Sequence, residues 1–92
     1  MAIVKEIQTD AEVCGKNLVA FDEHAIQRME ERGITEEQVL ASLRKPDMTG
    51  LRADPGRLRV RRLYGLHASV DVVYEEELTR ILVITAIRVT RR

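Results

Sequence analysis

One stretch fixes more of this chain's folding options than any other. Residues 21–34 read Phe-Asp-Glu-His-Ala-Ile-Gln-Arg-Met-Glu-Glu-Arg-Gly-Ile, which carries both a start and a stop for a short helix. The Asp22 carboxylate can accept a hydrogen bond from a free N–H of the first turn. Gly33 can take the left-handed conformation that ends a helix. Phe21 and Ile26 stand where a hydrophobic staple would close around the cap. At about 100° per residue, Ala25, Ile26, Met29 and Gly33 fall on one side. His24, Arg28, Glu31 and Arg32 fall on a neighbouring side, with His24 and Arg28 four apart and so stacked one above the other.

A second helix follows at once. Thr35 with Gln38 three residues later matches a capping box. Glu36 and Glu37 lie in the first turn and Arg44 and Lys45 at the end, each suited to the helix dipole. Val39, Leu40 and Leu43 form its apolar stripe, and Pro46 stops it. Residues 46–56 hold Pro46, Gly50, Pro55 and Gly56, which predicts a mobile loop over a site.

The remainder reads as strand. In residues 57–64, Arg57, Arg59 and Arg61 alternate with Leu58 and Val60. In residues 68–74, Val70, Val72 and Tyr74 alternate with Ser69, Asp71 and Val73. The run 80–89 places Ile81, Val83, Ile87 and Val89 on one face and Leu82, Ile84 and Ala86 on the other, the pattern of a covered strand. Residues 1–17 are read as an N-terminal extension. There Ile3, Ile7, Ala11 and Cys14 share a helical side and Gly15 would be the stop; a short strand over residues 3–7 is the alternative. The expected fold is α+β: two short helices, with a possible extra first helix, packed on a three- to four-stranded, mainly antiparallel sheet. Residues 18–92 make one domain.

Composition narrows the function classes. The chain has 92 residues, 3% aromatic and 33% charged, with zero formal net charge, as expected of a globular domain with an aliphatic core. So few aromatics argue against an RNA module that reads stacked bases. The zero conceals an asymmetry: residues 1–47 hold six Lys/Arg against ten Asp/Glu, and residues 48–92 hold nine Arg against five Asp/Glu. An arginine fork suits phosphate and carboxylate, although solvated strand surfaces also use arginine. Cys14 is the only cysteine, so no intrachain disulfide forms, and a zinc site from His24, His67 and Cys14 has no ligand spacing behind it. No metal or cofactor is expected. The first residues lack a signal-peptide pattern and no apolar run spans a bilayer, so the cytoplasm is the expected location.

His24-Ala25, Arg28-Met29, Arg32-Gly33-Ile34 and the acidic helix start after Thr35, with Val72-Val73-Tyr74 and Val83-Ile84-Thr85 later on, resemble a bacterial family known as a domain of unknown function, number 4258. The resemblance runs from about Leu18 to Thr90. That family has been proposed to resemble small metal-independent ribonucleases, the RelE- and barnase-like toxins. The resemblance implies RNA cleavage by transesterification and an antitoxin or other protein partner. Such chemistry needs a base, an acid and cations for the extra phosphorane charge. His24 would be base or acid, because an imidazole changes charge near neutral pH. Arg28 or Arg32 would hold the scissile phosphate, Arg57, Arg59 and Arg61 the flanking ones, and Tyr74 or Thr85 would donate near the leaving group. The plainer readings are a helix-start histidine, surface ion pairs, and a strand tyrosine and threonine. Two other functions stay open: a non-catalytic interaction module that forms a homodimer or binds a partner chain, and a catalytically inactive relative that binds nucleic acid through the strand arginines. The enzyme reading makes one geometric claim, that His24 lies in a concave pocket near a strand arginine.

Overall fold

The computed structural model describes residues 2–90. Its elements run β1 (Ile3–Val13), β2 (Lys16–Asp22), α1 (Glu23–Arg32), α2 (Glu36–Arg44), β3 (Leu58–Tyr64), β4 (Ala68–Glu76) and β5 (Ile81–Thr90). The five strands form one sheet in the order β1-β2-β5-β4-β3. The pairs β1–β2, β3–β4 and β4–β5 are antiparallel, while β2 and β5 are parallel from Val19 opposite Ile81 to Phe21 opposite Val83. The α+β class is as expected, but the sheet has more strands and is mixed.

The extra strand is the N-terminal extension, where the expected helix is overturned. Glu6, Gln8, Asp10 and Glu12 alternate with Ile7, Thr9, Ala11 and Val13, a period of two. Cys14 and Gly15, at φ 52° and 82°, form the two-residue turn into β2. Two successive positive φ angles suit the right-handed twist of a hairpin.

Both helices end where their residues dictate. The Asp22 carboxylate accepts from the Ala25 N–H at 2.6 Å. At the other end of α1, Gly33 adopts φ 63° and Ile34 donates back to the Met29 carbonyl at 2.9 Å. With Met29 and Ile34 both buried, this is a complete Schellman stop. Thr35 and Gln38 cap α2 reciprocally.

The main core lies between the helices and one sheet face, with Val19, Phe21, Met29, Val39, Val72 and Val83 among its members. Ala20, Val73, Leu82 and Ile84 form a smaller apolar cluster on the other face. Ile84 is an extra residue in β5: Tyr74 faces Val83 and the next residue, Val73, faces Thr85. This bulge reverses the alternation beyond it. Ala86 therefore joins the helix-side core with Val83, instead of lying opposite it as strict alternation expects.

The loop after α2 is tied down rather than free-standing. Asp47 and Met48 donate to the Arg61 carbonyl at 2.8 and 3.0 Å, and Arg61 donates back to Met48 at 2.9 Å. The Asp47 carboxylate accepts from the Leu63 N–H at 2.7 Å. This segment covers the outer edge of β3. Among the described residues, no helix is long and apolar enough to cross a membrane.

Candidate functional site

The strand arginines are organised by one carboxylate. Arg61 stands opposite Asp71 and Arg59 opposite Val73 across the β3–β4 pair, on the face away from the helices. Arg61 donates from Nε to Asp71 Oδ1 at 2.6 Å and from Nη2 to Oδ2 at 2.9 Å. Arg59 donates from Nε to Oδ2 at 2.8 Å, with Nη2 2.6 Å from the same oxygen. The Asp71 side chain is 0% exposed, against 27% and 16% for Arg59 and Arg61. Burial by itself would raise the Asp71 carboxyl pKa; the hydrogen bonds and charges of Arg61 and Arg59 outweigh it and hold the group below its ordinary value. The bond to Asp71 in turn raises Arg61. Two guanidinium groups share one carboxylate, so the trio keeps one net positive charge. Nη1 of both arginines has no hydrogen-bond partner among the described residues.

Beside the trio lies a concavity of about 260 Å³, lined by Arg52, Ala53, Asp54, Arg57, Arg59, Val73 and Thr85. The loop supplies Arg52 and Arg57, β3 supplies Arg59, and β5 supplies Thr85. Arg57 is held only loosely, 3.8 Å from Asp54 and 4.0 Å from Glu75. Arg52 joins no ion pair among the described residues.

The residues singled out in the sequence divide into three places. Arg57, Arg59 and Thr85 come together here, with Arg61 adjoining. Tyr74 lies in the helix-side core, its hydroxyl 3.9 Å from Cys14 Sγ. Burial, with lesser contributions from Cys14 and Glu76, raises the Tyr74 pKa well above its ordinary value. His24, Arg28 and Arg32 belong to α1. His24 is exposed and makes no side-chain hydrogen bond or ion pair with a strand arginine among the described residues. Arg28 pairs with Glu31 at 2.8 Å. Arg32 donates from Nη1 to the Ala86 carbonyl at 2.6 Å, fastening α1 to β5. His67 is exposed at the β3–β4 turn.

Sequence reasoning missed Arg52 and the organising role of Asp71. The signal for Asp71 was an acid within an apolar alternation, opposite a strand with arginines at alternate positions. Arg52 carried none, because only the folded loop brings it over the sheet. Among the described residues no three His, Cys, Asp or Glu side chains gather as metal ligands.

Fold and site together define a small α+β domain whose open sheet face carries preoriented cations. The chain belongs to the family described as Domain of unknown function (DUF4258), whose model matches residues 21–88. No curated protein and no solved structure matches the chain. The family match begins at Phe21, so β1 and most of β2 precede it.

Proposed function

We propose that the protein binds RNA and holds the phosphodiester backbone on the sheet face that carries Arg52, Arg57, Arg59 and Thr85. The observation that supports this most directly is the convergence of three guanidinium groups on one concavity, beside a fourth oriented by Asp71. Guanidinium forks match phosphate oxygens in shape and charge. The Thr85 hydroxyl adds a neutral donor of the kind common at nucleic-acid backbones. Phe21 and Tyr74 are buried in the helix-side core, so they offer no stacking platform here. Contacts of this kind grip the backbone and leave the bases unread. The resemblance proposed between this family and small ribonucleases is the reason for choosing RNA as the polymer.

The test is fluorescence anisotropy of a labelled, mixed-sequence single-stranded RNA across a salt series. Affinity falls linearly on logarithmic axes as salt rises, and each phosphate contact removed flattens the slope by about 0.7. Arg52→Ala and Arg57→Ala each weaken binding and flatten the slope. Binding that ignores salt, or none at low salt, refutes the proposal.

Metal-independent cleavage is the second reading, supported by the family signature on α1. His24 is exposed with no strand arginine bonded to it among the described residues, which counts against the geometric claim that reading makes. In that reading His24 is the base or acid, Arg28 holds a phosphate, and the chain is the toxin of a toxin–antitoxin pair.

A further inference from the structure

On the helix side, away from the arginine concavity, a groove of about 260 Å³ lies between α2 and β3. It is lined by Glu37, Leu40, Ala41, Arg44, Lys45 and Arg62. Leu40 and Ala41 are half-buried and supply aliphatic surface. Around them stand three cations and one carboxylate, in a chain whose formal net charge is zero. Arg62 is fixed in place: Nη1 donates to the Lys45 carbonyl at 2.8 Å, and the guanidinium carbon lies 5.8 Å from the centre of the Tyr64 ring. Arg44 reaches only the Ala11 carbonyl, at 3.4 Å. Neither Arg44 nor Lys45 has an ion-pair partner among the described residues.

We propose that this groove docks an acidic segment of a partner protein, with a leucine-class side chain on Leu40 and Ala41 and flanking carboxylates on Arg44, Lys45 and Arg62. Three features select that occupant. The volume is below the roughly 300 Å³ at which small-molecule sites begin, and suits an aliphatic side chain better than a cofactor. The apolar lining is aliphatic, and an aliphatic anchor gains from burial there what a stacked base would not. The cationic rim complements carboxylates, and complementary charge sets partner choice and approach. Arg62 and the apolar pair are the anchor positions, because Arg62 is held in place and so loses little freedom on binding.

The probe is a fluorescein-labelled peptide, Asp-Glu-Leu-Glu-Glu-Leu-Asp, followed by anisotropy and by amide chemical shifts of the labelled protein. The expected result is saturable binding that shifts the amides of Leu40, Ala41 and Lys45. Lys45→Glu combined with Arg62→Glu weakens it by about tenfold or more, and serine in place of both peptide leucines abolishes it. Arg52→Ala with Arg57→Ala binds the peptide as wild type does. Thermal melts of each variant establish that it is folded. No saturable binding at millimolar peptide overturns the proposal, as does binding indifferent to the charge reversal. So do shifts that map to the Arg52–Arg59 concavity, or shifts of the groove amides by RNA and not by peptide. The groove proposal does not depend on RNA binding, so either can fail alone.

Discussion

The Arg61 guanidinium grips both oxygens of the buried Asp71 carboxylate, Nε on Oδ1 at 2.6 Å and Nη2 on Oδ2 at 2.9 Å. Arg59 shares the same carboxylate, so Asp71 holds two like charges side by side on β3. Replacing it with Asn leaves two neighbouring guanidinium groups without their counter-charge. The expected cost is about 3 kcal/mol, at the low end of the range for a broken buried pair because both arginine heads reach solvent. Urea denaturation of Asp71→Asn beside wild type measures it. A difference near zero would mean that the carboxylate does not hold the pair.

The same carboxylate gives stability a pH signature. Its folded pKa lies below the ordinary value, so between the two the unfolded chain binds the extra proton. The contribution is complete above the unfolded value of about 3.9 and fades as pH falls below it toward the folded value. The stability gap between wild type and Asp71→Asn is therefore flat from pH 7 to about 5 and narrows below about 4. A gap that instead widens with acid contradicts the depressed pKa.

Arg32 ties the end of α1 to β5 through the Ala86 carbonyl. The expected role of Arg32 is therefore in the fold rather than at a phosphate. Arg32→Ala is expected to cost about 1.5–3 kcal/mol, the worth of a hydrogen bond to a charged group, and to leave the salt slope of RNA binding unchanged. A flattened slope in a fully folded variant would move Arg32 into the binding face.

How much of this was legible in the sequence depends on how local each determinant is. The caps at Asp22 and Thr35 and the stop at Gly33 act within one turn, and the structure places each where the residues call for it. The alternations in β3 and β4 were equally plain. In β1 the period of two was hidden, because its positions are mostly exposed on both faces and its apolar side carries Thr9 and Ala11 as well as Ile7. A helical spacing of Ile3, Ile7 and Ala11 then competes with the true pattern. The bulge at Ile84 and the parallel pairing of β2 with β5 are set by contacts distant in sequence. The expected site residues are dispersed for the same reason: the face that Thr85 occupies depends on that bulge, and which face of the sheet α1 covers is decided by tertiary packing.

Cys14 offers a chemical probe of the hairpin turn. Burial pushes its thiol pKa up, the Tyr74 hydroxyl partly offsets this, and Glu76 adds to it. Less thiolate is then present at mildly alkaline pH than in the unfolded chain, and the thiolate is the reactive form. Iodoacetamide is expected to alkylate the native protein several-fold more slowly than the urea-unfolded protein at pH 8, with the native rate still rising above pH 9. Equal rates in both states would mean that the turn leaves the thiol open.

His24 separates binding from catalysis. It is exposed at the second position of α1, so His24→Ala should change stability by no more than about 0.5 kcal/mol. RNA binding by the arginine concavity does not use it, and the variant should keep wild-type affinity and salt slope. The deciding measurement is incubation of mixed-sequence RNA with wild type, His24→Ala and Arg28→Ala in EDTA, with end-group analysis. The binding proposal expects the same background from all three. Cyclic-phosphate ends made by wild type and lost in both variants would make the protein a metal-independent ribonuclease. The reacting phosphate would then lie beside α1, on the opposite side of the sheet from the arginine concavity.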